Sequence, residues 1–154
     1  MIFERRVSRY DTQASATVNK GRKGGIMSEL RATTIDGDET VLAETAVEGL
    51  KTRLRGRLIR RRDEEYDEAR AVFNAMINRY PALIIRCAGV ADVIDAVNFA
   101  RDNNLLVAVR GGGHNVTGSA VCDGGIVIDL SQMKGMRIDP TARTSSDRTG
   151  THVG

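Results

Sequence analysis

Residues 105–130 read LLVAVRGGGHNVTGSAVCDGGIVIDL, and this stretch decides most of what the sequence reveals. A short apolar strand over residues 105–109 runs directly into Arg110, three consecutive glycines and His114. Glycine has no Cβ atom, so its backbone can adopt a positive φ angle and let a ligand approach closely. Consecutive backbone N–H groups in such a loop form a concave site for an anion. The stretch therefore predicts a phosphate-bearing cofactor held by the backbone, with a reactive imidazole beside it.

Two familiar phosphate-binding motifs do not fit this glycine run. A Walker A loop needs a lysine after its last glycine, whereas Gly118 is followed by Ser119. A Rossmann fingerprint needs a third spaced glycine and a helix that follows it, but position 116 is Val and the next residues are poor helix formers. NTP hydrolysis is therefore disfavoured, and a phosphate would rest on loop N–H groups and Arg110.

The composition is typical of a globular chain of one domain at most. The 154 residues are 41% hydrophobic and 28% charged. No apolar run approaches the roughly 20 residues needed to cross a bilayer, and no secretory signal peptide is visible. Two cysteines, Cys87 and Cys122, do not make a disulfide framework. We therefore expect a cytoplasmic protein with free thiols and no membrane partner.

The net charge of +3 originates in the N-terminal segment. Residues 1–26 contain six basic and two acidic residues, a net charge of +4, which leaves −1 for the rest of the chain. A nucleic-acid-binding domain should carry its basic surface on the folded part. We therefore predict no nucleic-acid partner. A basic nucleic-acid-binding protein is the last of three alternative functions, after the two described at the end of this subsection.

Four segments are predicted from the patterning of the chain. Residues 1–26 are polar and aperiodic, which indicates a disordered or non-native extension, with Met27 as a possible alternative start. Residues 27–77 are predicted to be helical, with helices over 40–55 and 67–77. Residues 78–140 alternate strands and a helix: strands at 82–85, 105–109, 126–128 and 136–138, and a helix over 90–103 whose inner stripe is Val93, Ile94, Val97 and Ala100. Residues 141–154 are predicted to be an irregular, truncated tail.

The predicted fold class is α+β, a small β-α-β sheet with flanking helices. Its two strands at 82–85 and 105–109 should be parallel, because a helix connects them. Within this region the residues RYPALIIRCAGVADVIDAVNFAR (79–101), VAVRGGGHNVTG (107–118), GGIVIDLSQM (124–133) and RIDP (137–140) closely resemble the FAD-binding domain of the vanillyl-alcohol-oxidase (PCMH-type) flavoproteins. Among these, the berberine-bridge-enzyme-like FAD-linked oxidases are the most similar.

This resemblance implies a particular site. The loop would wrap the FAD pyrophosphate, and the implied cofactor-binding residues are Arg110, Gly111, Gly112, Gly113, His114, Asn115, Gly118 and Ser119. In the family the motif histidine often bonds covalently to the flavin, so His114 is the candidate attachment residue. Asp129 is interpreted as a structural or capping carboxylate and Cys122 as a buried thiol. The resemblance implies no catalytic residue in this chain, and we predict no metal site.

The same resemblance implies an activity for a complete enzyme. It would oxidise a small-molecule substrate at a CH–OH or related C–H group, with hydride transfer to flavin N5 and reoxidation by oxygen. Family members usually contain several hundred residues, so we expect a truncated N-terminal part that is inactive alone. The alternative is a non-catalytic domain that binds a phosphate or nucleotide ligand.

Overall fold

The computed structural model describes residues 29–134, together with the backbone of residues 136–139 and 144–147. The predicted N-terminal extension, residues 1–26, lies outside the described residues. The elements in chain order are β1 (Leu30–Thr33), β2 (Glu39–Leu42), α1 (Glu44–Arg53), β3 (Arg57–Arg60), α2 (Tyr66–Arg70), β4 (Leu83–Arg86), α3 (Val90–Asp102), β5 (Val107–Arg110), β6 (Ile126–Asp129), β7 (Met136–Asp139) and β8 (Thr144–Asp147).

The central sheet has four strands in the order β3-β4-β6-β5. Strands β4 and β5 both run parallel to β6, which lies between them, and β3 pairs antiparallel with β4 at one edge. The parallel β4-α3-β5 unit is therefore confirmed, with the later strand β6 inserted between its two strands. All four residues of β6 are buried, as expected for a strand covered on both faces of a parallel sheet.

Helices cover both faces of this sheet, which confirms the α+β class with flanking helices. One face packs against α1 and α3, where Val47 and Leu50 of α1 and Phe99 of α3 join the core. The opposite face packs against α2 through Tyr66 and Ala69. Alternate residues of each central strand supply the two cores, as the twofold side-chain alternation of a strand requires: Leu83, Ile85, Ile126 and Ile128 on the first face, and Ile59, Ile84 and Val127 on the second.

The buried face of α3 differs from the predicted inner stripe. Ile94 and Val97 are exposed, whereas the buried residues are Asp92, Ala96, Phe99 and Ala100. The reason is the Asp92 carboxylate, which accepts hydrogen bonds from the backbone N–H groups of Arg55, Gly56, Ala88 and Gly89 at 2.7–3.3 Å. These donors lie on the protein side of the first turn of α3, so the Asp92 side chain faces inward. The residues on the same side of the helix as Asp92 are therefore buried, and Ile94 and Val97 face outward.

The predicted helical segment over residues 27–77 contains strands as well. A hairpin of β1 and β2 precedes the first helix, and Gly37 adopts a φ angle of +90° in its turn. The helix predicted over 40–55 is confirmed in part, as α1. The helix predicted over 67–77 is reduced to the five residues of α2.

Arg60 is the first residue of a charged run, residues 60–65, a pattern typical of a solvated loop or helix start, but the structure places it differently. It lies buried in β3, where its guanidinium donates to the carboxylates of Glu44 and Glu48 in α1. These two contacts hold the N-terminal half of α1 over β3, at the edge of the sheet. The predicted irregular tail contains β8, which pairs antiparallel with β7.

Candidate functional site

The glycine loop, residues 111–125, connects β5 to β6 at the carboxyl end of β5. Gly113 and Gly118 adopt φ angles of +75° and +76°, a backbone region that favours glycine. Residues 111–125 form turns and bends and contain no helix. The prediction that this loop does not lead into a helix is therefore confirmed, and no helix dipole is available to a bound phosphate.

The N–H groups of the three consecutive glycines are free to bind an anion. Within residues 29–134, the backbone N–H groups of Gly111, Gly112 and Gly113 have no protein acceptor. Gly112 is exposed, Gly111 and Gly113 are half-buried, and a Cβ atom added at Gly111 would meet open space. Unpaired donors of this kind at a surface loop suit a pyrophosphate, so the residues present fit this part of FAD.

The imidazole of His114 lies directly over the backbone of Gly112. A Cβ atom at Gly112 would be 2.7 Å from Cδ2 and 3.0 Å from Nε2 of His114, so only glycine permits this arrangement. His114 is exposed, and its ring centroid is 5.8 Å from that of Phe73 at an interplanar angle of 54°. The imidazole is thus placed next to the unpaired N–H groups of the glycines.

A second segment, residues 71–79, supports the loop from behind. Phe73 N–H donates to the Gly113 carbonyl at 3.2 Å, and Asn74 Nδ2 donates to the Val116 carbonyl at 3.2 Å. Arg79 Nη1 donates to the Val121 carbonyl at 2.9 Å. The sequence analysis assigned most of this segment to a helix and missed its role. Asn74 is the signal that could have revealed it, since asparagine favours turns over helix interiors, and its Oδ1 here accepts the Met76 N–H.

The guanidinium of Arg110 is directed into the protein, away from the loop surface. Arg110 Nη1 donates to the Ala69 carbonyl and, at 3.2 Å, to the Ala71 carbonyl, while Nη2 donates to Asp129 Oδ2 at 2.5 Å. The side chain is 7% exposed. This geometry does not favour the predicted contact of the Arg110 side chain with the pyrophosphate, because three of its five N–H donors are bound to protein acceptors; its place among the cofactor-binding residues stays a prediction.

Asp129 is the structural carboxylate that the sequence suggested. It is completely buried at the end of β6, where it pairs with Arg110 and, at 3.4 Å, with Arg86 Nε. Its Oδ1 also accepts the Ser131 N–H at 3.0 Å. Burial alone would raise the pKa of Asp129, but the hydrogen bond and charge of Arg110 and the Ser131 N–H hold it below its ordinary value. The carboxylate therefore stays ionised at neutral pH.

The remaining predicted site residues surround the distal part of the loop. Asn115 Oδ1 accepts both the N–H and the hydroxyl of Thr117, at 2.9 and 2.6 Å, which forms a local turn. Gly118 is buried, and a Cβ atom there would be 2.8 Å from the Ile77 side chain. Ser119 is exposed, so its hydroxyl remains a predicted contact. Gly118 thus closes the loop onto the supporting segment.

Other features of the described residues offer no competing site. One surface depression of about 1050 Å³ is lined mainly by charged residues between α1 and α2, and none of its lining residues belongs to the glycine loop. No group of three His, Cys, Asp or Glu residues within the described part of the chain could hold a metal ion. Cys122 is a buried thiol, as interpreted from the sequence, and burial raises its pKa to about 11. No helix among the described residues is long and apolar enough to cross a membrane.

Comparison with known proteins identifies the domain. A family profile described as an FAD binding domain matches residues 81–153, which contain the central parallel strands and the glycine loop. Residues 81–153 are a member of this FAD-binding domain family, as the resemblance to PCMH-type flavoproteins predicts. FAD is accordingly the cofactor of this PCMH-type domain.

The relatives of this PCMH-type chain are much longer than it is. It is 35% identical over 104 residues to the uncharacterized FAD-linked oxidoreductase YgaK of Bacillus subtilis. The matched region covers 68% of this chain and 23% of YgaK. The crystal structure of 6-hydroxy-D-nicotine oxidase from Arthrobacter nicotinovorans matches with a TM-score of 0.54 and 40% identity, over 56% of this chain and 19% of that one. The BBE-like 1 protein of Physcomitrella patens matches with a TM-score of 0.59 and 25% identity, over 64% and 22%. The chain spans about a fifth of the length of these proteins.

Proposed function

We propose that this chain supplies the pyrophosphate-binding loop and the flavin-attachment residue of an FAD-linked oxidase. One observation carries the proposal: the unpaired N–H groups of Gly111, Gly112 and Gly113 lie directly beside the exposed imidazole of His114. The donors suit the negative charge of a pyrophosphate, and the imidazole is a nucleophile near neutral pH. Both groups are on one loop, which is held by hydrogen bonds to residues 71–79.

The chain's own residues would act by binding and orientation. The glycine N–H groups would hold the pyrophosphate, and Ser119 would add a hydroxyl donor. An imidazole nitrogen of His114 would form a C–N bond to the 8α-methyl carbon of the flavin as its N–H bond and one methyl C–H bond break. The flavin itself would accept the two electrons and oxygen would restore it, and the new bond would fix the ring system in place. Phe73, which is 79% exposed and in contact with His114, would cover one side of the imidazole and limit its access to water.

The proposed reaction is oxidation of a small-molecule substrate at a CH–OH or related C–H group. Bound FAD would supply the hydride acceptor, and oxygen would restore it. The similarity to 6-hydroxy-D-nicotine oxidase supports an oxidase reaction. The substrate itself would be chosen by parts of the protein beyond the described residues.

Binding is tested by titrating the full chain with FAD and following the backbone amide resonances by NMR. We expect the amides of Gly111, Gly112 and Gly113 to shift first and most, in weak binding, since only one side of the cofactor is held. ATP and NAD serve as controls. Equal shifts with all three nucleotides would favour the non-catalytic nucleotide-binding alternative, and shifts confined to other regions would refute the loop as the site.

Attachment is tested in a version of the protein extended to the length of its relatives. Yellow flavin should remain with the protein after acid precipitation. His114→Ala should release it, because the variant lacks the nucleophilic ring nitrogen, whereas Ser119→Ala should retain it. Acid-stable flavin in the His114→Ala variant would refute His114 as the attachment residue.

A further inference from the structure

Helix α2 stops at Arg70 although its sequence favours a longer helix. The apolar spacing of residues 67–77 predicts a helix to residue 77, and in a continued helix the Phe73 N–H would donate to the Ala69 carbonyl. In the structure the Ala69 carbonyl accepts from Arg110 instead, and the Phe73 N–H donates to the Gly113 carbonyl at 3.2 Å. Arg110 at the end of β5 and Gly113 in the glycine loop have therefore replaced the two partners of one helical hydrogen bond.

The same guanidinium takes a second helical acceptor. The Ala71 carbonyl, which would receive the N–H of residue 75 in a continued helix, accepts from Arg110 Nη1 at 3.2 Å. Arginine suits this position because its planar group of five donors can bind two carbonyls and a carboxylate at once. A positive charge is also favourable beside carbonyl groups at the carboxyl end of a helix.

Asp129 holds Arg110 in the orientation that this exchange requires. The carboxylate is completely buried, and its Oδ2 lies 2.5 Å from Arg110 Nη2. Arg110 closes β5 and Asp129 closes β6, and the two residues are direct partners in the parallel register. The sheet therefore fixes the ion pair, and the hydrogen bonds of Arg110 to the Ala69 and Ala71 carbonyls hold the end of α2 at a fixed place over the sheet.

We propose that Arg110, held by Asp129, is a positioning residue for the flavin loop: it keeps residues 71–77 out of the helix, so that Phe73 is free to bind Gly113 and to contact His114. The proposal rests on the proposed function for its flavin role. Its structural part stands on the hydrogen bonds of this chain alone. Arg110 contacts no cofactor in this scheme, and it acts through Phe73 and Gly113.

The test compares variants of the full chain without cofactor. Arg110→Met alone would leave the buried Asp129 carboxylate with only its longer contact to Arg86, at 3.4 Å, so the main variant is R110M/D129N, which removes both charges of the closer pair. Neutral replacement of a whole buried pair is tolerated better than loss of one member. Arg110→Lys is the second variant, because it retains the charge beside Asp129 but loses the planar group of donors. Arg101→Met, which removes an exposed arginine of α3 paired with its neighbour Asp102, is the matched control.

The readouts are Cα chemical shifts of residues 71–77 and hydrogen exchange of the Phe73 amide. In R110M/D129N we expect the shifts to move toward helical values and the His114 ring resonances to change as contact with Phe73 is lost. Arg110→Lys should give a smaller change in the same direction, and Arg101→Met none. A folded R110M/D129N or Arg110→Lys variant with wild-type shifts at residues 71–77 and His114 would overturn the proposal.

A titration with FAD separates this inference from the proposed function. If both hold, the shifts of the Gly111–Gly113 amides in R110M/D129N should require about tenfold more FAD than in the wild type, with Arg101→Met unchanged. If wild-type amides do not respond to FAD while the cofactor-free variants show the helical change, the proposed function fails and the positioning role of Arg110 stands. Equal FAD affinity in wild type and R110M/D129N would refute its role toward the flavin.

Discussion

Replacing Gly112 by alanine should displace the His114 imidazole without disturbing the fold. Gly112 has no positive φ angle, so its backbone accepts alanine, but the new Cβ would lie 2.7 Å from His114 Cδ2. The neighbouring Gly111 provides a matched control. Its φ angle is also not positive, and nothing lies within 4 Å of a Cβ atom built there.

The required displacement can be worked out from the structure. Favourable carbon–carbon contacts begin at about 3.5 Å, so the imidazole must move by roughly 0.8 Å from its position 2.7 Å away. Because His114 is exposed at the loop surface, this movement should change the free energy of unfolding by no more than about 1 kcal/mol. A misplacement of about 1 Å at a reacting group can slow a reaction roughly 100-fold, so flavin attachment should suffer far more than stability.

The assay is the chemical shift of the His114 ring protons in the full chain, measured with thermal unfolding of the same samples. We expect a changed ring environment in Gly112→Ala, because the imidazole moves relative to the Phe73 ring. Gly111→Ala should leave the His114 signals unchanged and raise the free energy of unfolding by about 0.4–1 kcal/mol, since alanine reduces the freedom of the unfolded chain. Identical His114 signals in Gly112→Ala and wild type would refute the packing of the imidazole over Gly112.

Three further predictions follow from other contacts. Gly118→Ala should lower the free energy of unfolding by about 1–3 kcal/mol, measured by denaturant titration, because the residue has a φ angle of +76° and its Cβ would press on Ile77; wild-type stability would contradict the fold of the loop. Asp92→Asn should remove an acid-sensitive part of the stability. Burial alone would raise the pKa of Asp92, but hydrogen bonds from four backbone N–H groups lower it. The Asp92 carboxylate therefore stabilises the fold above the ordinary aspartate pKa of about 4, and this contribution is lost as the pH falls toward the lower pKa of the folded state. Unfolding curves at pH 2–7 should therefore converge for variant and wild type at low pH and separate at neutral pH. Cys122 should resist alkylation at pH 7 until the protein unfolds, because burial raises its pKa to about 11; labelling of the folded protein would contradict that burial.

The central sheet and the glycine loop could be predicted from the sequence because their signals are local. Buried strands such as β4 and β6 are short apolar runs bounded by turns, and the loop is marked by consecutive glycines. The hairpin of β1 and β2 also carried a local signal, Asp36-Gly37 between two alternating segments, which is typical of a hairpin turn. The apolar spacing that favours a helix over residues 40–55 begins inside β2, so the two local patterns compete in this segment.

The remaining differences arise from contacts between distant residues. The end of α2 is set by Arg110, about forty positions further along the chain, whose guanidinium takes the carbonyls that the helix would use. The buried side of α3 is set by Asp92. Its carboxylate accepts hydrogen bonds from the N–H of Arg55, between α1 and β3, and from the N–H of Ala88, just before α3. Helix periodicity describes only one element at a time, so it could predict neither the length of α2 nor the rotation of α3.

The site must be organised by such distant contacts because no helix begins at the loop. In many phosphate sites a helix N-terminus aligns the N–H groups and adds a favourable dipole. Here the alignment has to come from residues 71–79, through the Phe73 N–H on the Gly113 carbonyl and the Asn74 amide on the Val116 carbonyl. The peptide between Gly113 and His114 is planar, so the Phe73 N–H on the Gly113 carbonyl fixes the orientation of that peptide in the loop. Arg110 and Asp129 fix the end of α2 from which that segment starts, and donors held in place in this way need little reorganisation when an anion binds.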